Sequence, residues 1–156
     1  MDSSRANDVA IGLPLVISLV TILGTIVIHA LALWGVVHFV RRQHRLGRIG
    51  VRFWRDVAIV CGATLLAGVA HVVDVIIWAV VFALCGEFSR LAPALYCSAT
   101  LYTSLGYGDV VMSSSWKLLG PFETGDGLLM FGLSTAIAIS VIQLIIRTRF
   151  HDFPNY

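Results

Sequence analysis

The sequence predicts an all-α membrane protein with three transmembrane helices and a short re-entrant helix between the second and the third. Three observations carry that reading. First, 58% of the 156 residues are hydrophobic and 13% are charged, where a soluble domain has about 45–50% and about 25%. Second, three apolar segments each exceed the ~20 residues needed to cross a bilayer. Third, residues 92–102 form a further apolar stretch that is too short to span. A soluble chain of this length could not hide so much apolar surface, so lipid is part of its solvent.

The first segment occupies residues 9–40. The residues before it, Met-Asp-Ser-Ser-Arg-Ala-Asn-Asp, lack the basic start of a cleaved signal, and the apolar run is too long for one. Pro14 falls near its start, where proline is tolerated. The second segment is 57–86 and the third 120–147. None shows period-2 alternation, so all three read as helices.

Between the first two segments, residues 41–56 hold six of the eleven basic residues, among them Arg41, Arg42, Arg45 and Arg48. Positive charge marks the cytoplasmic side, which places the N-terminus outside. The same four arginines are expected to touch lipid headgroups, anionic ones included. The spacing of Arg42, Arg45, Arg48, Arg52 and Arg55 does not make a voltage sensor. Gly47 and Gly50 interrupt it, and no earlier helices supply countercharges. The tail, 148–156, carries Arg149 next to Arg147 and belongs in the cytoplasm too. It is too short to hold a gating domain.

Residues 87–119 then begin and end outside. Pro93 suits the first turn of a short helix over 92–103. Non-helical backbone at membrane depth is tolerated only where protein buries it or where it lines a watery cavity. A short helix followed by a glycine-rich return meets that condition.

Residues 95–109 read Leu-Tyr-Cys-Ser-Ala-Thr-Leu-Tyr-Thr-Ser-Leu-Gly-Tyr-Gly-Asp, which resembles the pore helix and selectivity filter of potassium channels. Trp116 fits the small bacterial two-helix type. The resemblance covers 57–147 and leaves the first helix out. It implies a filter at 104–109 whose backbone carbonyls, at Ser104, Leu105, Gly106 and Tyr107, replace the water shell of K+. Thr103, Gly108 and Asp109 would support it, Asp109 at the outer mouth. The Tyr107 ring would brace it from behind. One chain supplies one strand of a four-stranded ring, so the resemblance also implies a homotetramer. It implies K+ as the permeant ion, no cofactor, no nucleic-acid partner and residence in a bacterial inner membrane.

The match has departures. Ser104 stands for the usual threonine, Leu105 for valine or isoleucine, and Thr100 for a buried glutamate found in some members. They keep two other readings open: a weakly selective cation channel, and a non-conducting interaction protein with a relic filter. No catalytic constellation is visible, which argues against an enzyme.

Other polar residues fall within the spans, where they are functional candidates. His71 and Asp74 share a helix face and could sense pH, or simply join neighbouring helices. His29 and His38 are weaker candidates. Glu123 and Asp126 admit two placements: the first turns of the third helix, where carboxylates are favoured, or a deeper position beside the short helix, supporting the filter. Gly127 is either a gating hinge or a close-packing residue, and Gly132 is similar. Cys61, Cys85 and Cys97 fit no zinc or redox spacing and read as small hydrophobes.

Overall fold

The computed structural model describes residues 2–150, with side chains from residue 12 onward. Four helices follow one another: α1 (Asp2–Arg45), α2 (Phe53–Leu84), α3 (Leu91–Tyr102) and α4 (Leu119–Arg149). No strand occurs among the described residues. Gly12–Arg45, Phe53–Leu84 and Leu119–Arg149 are each long and apolar enough to cross a membrane. The expected tail 148–156 largely coincides with residues that lie outside the described ones.

The helices are longer than the apolar runs that predict them. α1 continues through Arg41, Arg42 and Arg45, and α2 already begins at Phe53. Arginine is a good helix former, and basic side chains favour the last turn of a helix. Because α1 also begins early, Pro14 lies inside it. A spanning helix can absorb the hydrogen bond lost there.

Both α1 and α2 stop in the same way. Gly47, at φ 62°, donates its N–H to the His44 carbonyl at 3.0 Å, and Arg48 donates to Gln43 at 3.1 Å. Gly86 and Glu87 repeat the pattern on Ala83 and Phe82, each at 3.1 Å. This is the Schellman ending, which needs a left-handed residue just past the helix.

The chain divides into two compact units, Met1–Ile28 with His71–Met130, and His29–Ala70 with Phe131–Tyr156. In the first unit, α3 packs through Cys97 and Tyr102 into a core with Trp78, Phe82, Leu119 and Met130. The second unit has a core of Val36, Val40, Ile49, Ile59, Ala63, Val141 and Ile145. Its buried carboxylate, Asp56, accepts from the Gly50 N–H at 2.9 Å and pairs with Arg149 at 3.4 Å. The Arg149 guanidinium also lies over the Phe53 ring, 5.8 Å from its centroid.

Much of the apolar surface has no cover within one chain. Leu31, Leu65 and Leu129 are 64%, 71% and 65% exposed, as expected of helices that meet lipid or further copies of the chain. The three thiols are free, and Cys61 is exposed, unlike buried Cys97.

Candidate functional site

The site is the backbone that follows α3. Thr103 caps that helix, donating its N–H to Ala99 at 3.2 Å. Leu105 and Gly106 then both donate back to the Thr100 carbonyl, at 2.9 and 3.1 Å. Beyond this turn the chain runs free of helix to Asp109, and residues 103–109 are all exposed. Every second residue has positive φ: Ser104 at 60°, Gly106 at 49° and Gly108 at 76°. Glycine adopts that conformation without penalty, whereas serine rarely does. Alternating handedness lets successive peptide groups face one side of the segment. The strained residue, Ser104, thus sits in the segment the sequence singles out.

The far end of the segment is tied to α3. The Tyr96 hydroxyl donates to Asp109 Oδ2 at 2.8 Å. Further on, Glu87 accepts from the Ser113 N–H at 2.8 Å and from its hydroxyl. Behind the segment lies a cavity of about 220 Å³, lined among others by Thr100, Gly106, Gly108, Met112 and Lys117. Thr100 keeps its own hydroxyl on the Cys97 carbonyl at 2.8 Å.

The near end is held by buried polar contacts, several of them invisible in the sequence. Tyr102, 1% exposed, closes α3. Its hydroxyl donates to Asp74 Oδ2 at 2.9 Å and lies 2.9 Å from His71 Nδ1. His71 and Asp74 therefore meet through a third residue. The backbone of Tyr102 is gripped as well: a Cβ on Gly127 would stand 2.2 Å from its carbonyl oxygen. Gly127 is thus a point of close approach between α4 and α3. No atom lies within 4 Å of a Cβ at Gly132.

Of the two sequence placements for Glu123 and Asp126, the deeper one describes them: the first turn of α4 holds no acid, and both side chains are buried, at 0% and 1% exposure. Glu123 Oε1 meets the Ser98 hydroxyl on α3, which lies 2.8 Å from the Val75 carbonyl on α2. Asp126 accepts from Trp78 Nε1 at 2.9 Å and from the Thr25 hydroxyl, 2.8 Å from Oδ2. One carboxylate so joins α1, α2 and α4. Ser98, Tyr102, Trp78, Thr25 and Tyr96 escaped sequence reasoning. The available signal is that a buried tyrosine or tryptophan seeks a polar partner.

Residues 70–144 match the family model described as "Ion channel". This segment is similar to an ion channel domain. The match takes in the second part of α2, all of α3 with the segment after it, and most of α4. α1 lies outside the match, although Thr25 reaches the matched segment to bind Asp126. No curated protein and no solved structure matches the chain.

The arginines expected at headgroups separate into two groups. Arg41, Arg42 and Arg45 line one groove with His38. Arg48 lines a different one with Phe39, Gln43 and Arg55. His38 is exposed and stacks on Trp34, whereas His29 is buried.

Proposed function

We propose that the chain is one subunit of a homotetrameric potassium channel that passes K+ down its electrochemical gradient. The observation that carries this reading is the alternation of left-handed residues at Ser104, Gly106 and Gly108 in an exposed segment immediately after α3. Four such segments around one axis supply the oxygen cage that replaces the water of K+. The carbonyls of Ser104, Leu105, Gly106 and Tyr107 form it, with the Ser104 hydroxyl innermost. Thr103, Gly108 and Asp109 hold its ends. The Tyr107 ring is 68% exposed, so the surface that braces it comes from another copy. α3 enters the membrane from outside as the pore helix, its C-terminal dipole end toward the cation. The N-terminus is outside and residues 41–56 are cytoplasmic, by the charge rule, in a bacterial inner membrane.

Liposomes loaded with K+ and diluted into Na+ test the proposal. Flux that barium blocks and that Gly106→Ala abolishes is the expected result. Flux unchanged by Gly106→Ala rejects the filter.

A second reading, a weakly selective cation channel, draws on Leu105, 58% exposed, and on the cavity behind the segment at Thr100. A filter wall with room behind it adapts to a smaller ion. Reversal potentials in mixed K+ and Na+ decide between them, equal permeability favouring the second.

A further inference from the structure

From Leu31 to Arg45, one face of α1 changes character in order. Leu31, Trp34, His38, Arg41, Arg42 and Arg45 recur at three- and four-residue steps, so they share a face. All six are exposed. The opposite face carries Val36 and Val40, which are buried in the core of the second unit. The exposed face is therefore turned away from the rest of that unit.

Along this face an aliphatic residue gives way to an aromatic, then to an imidazole, then to three guanidinium groups, over about 21 Å of helix. Trp34 is 70% exposed and stacks on His38, with ring centroids 5.7 Å apart. His38, Arg41, Arg42 and Arg45 enclose a groove of about 160 Å³. Among the described residues the ion pair of this unit joins Arg149 to Asp56, and no acid faces the three arginines.

We propose that this face of α1 binds an anionic phospholipid, with Arg41, Arg42 and Arg45 on the headgroup phosphate and Trp34 at the glycerol level. The argument rests on charge and on order. Guanidinium forks match phosphate oxygens in pairs, and tryptophan favours the membrane interface. A soluble phosphate would use the arginines alone. A lipid uses Leu31 and Trp34 too, and only the membrane presents acyl chain, interface and negative headgroup in that sequence. Arg48 and Arg55 belong to another groove, so this site is narrower than the basic loop as a whole. The inference does not depend on whether the chain conducts ions.

The test uses the full chain in vesicles of phosphatidylcholine containing a minor share of brominated lipid, which quenches nearby tryptophan. The Trp34 signal is isolated as the difference from Trp34→Phe. Brominated phosphatidylglycerol should quench it at least about twofold more strongly than brominated phosphatidylcholine at equal content, and salt should erase the difference. Replacing Arg41, Arg42 and Arg45 together by Gln should also erase it, while Arg48→Gln with Arg55→Gln should leave it. Equal quenching by both lipids overturns the proposal. So does loss of the preference in the Arg48/Arg55 variant, or a Trp34 that neither lipid reaches because a second copy covers it.

Discussion

The indole N–H of Trp78 donates to Asp126 Oδ2 at 2.9 Å, in a pocket where both side chains are almost wholly buried. Thr25 approaches the same carboxylate from α1. A helix outside the matched family segment is thereby fastened to the domain that carries the filter candidate.

Asp126→Ala should be among the most damaging single changes, because it strands the buried Trp78 N–H, while the Thr25 hydroxyl falls back on the Ile22 carbonyl. A buried orphan costs about 1–3 kcal/mol. Trp78→Phe removes donor and bond at once and should cost less. Thermal unfolding in detergent measures both. The double variant should be less unstable than the sum of the two, with a coupling of about 0.5–3 kcal/mol.

Ser98 has one hydroxyl proton and two oxygens within reach, the Val75 carbonyl and Glu123 Oε1. Both contacts are satisfied together when the Glu123 side chain supplies a proton of its own. Glu123→Gln, whose amide donates a hydrogen bond, should therefore keep stability and flux near wild type. Glu123→Ala should lower the unfolding temperature. Equal damage from both substitutions would show that a carboxylate charge is required there.

At Gly127 the carbonyl of Tyr102 leaves no room for a methyl group. Gly127→Ala should push α4 off the end of α3, at a cost of about 1–3 kcal/mol for overpacking. Gly132→Ala meets open space and should be near neutral in stability. A hinge at Gly127 would show instead as altered flux in a protein of unchanged unfolding temperature.

Removing the Tyr96 hydroxyl should loosen the outer end of the segment without unfolding the domain. The hydrogen bond to Asp109 is exposed, so the loss should be modest, about 0.5–1.5 kcal/mol. Faster amide exchange at Gly108 and Asp109 in Tyr96→Phe, with α3 still protected, is the expected pattern.

The helical architecture was legible because apolar length and the scarcity of charge are local properties of a sequence. The ends of helices were less so: arginines that mark the edge of the membrane do not mark the end of a helix, and α1 stops only where Gly47 allows the Schellman turn. The segment at 103–109 announced itself through Gly106 and Gly108, but the left-handed conformation of Ser104 has no signature in the residue type. Glu123 and Asp126 stand out as polar residues in an apolar run. Their partners do not, since Ser98 and Thr25 lie 25 and 101 positions away along the chain. For the same reason the spacing of His71 and Asp74 shows a shared face but not the Tyr102 hydroxyl that contacts them both.

The link between α1 and α2 covers only residues 46–52, which even fully extended span at most about 25 Å. So short a tether keeps α1 close to the chain it belongs to. Within one chain Thr25 stands against Asp126, so in a sample mixing intact and altered chains a fault there should stay with the copy that carries it. Supplying a separate intact α1 from another polypeptide should not mend it.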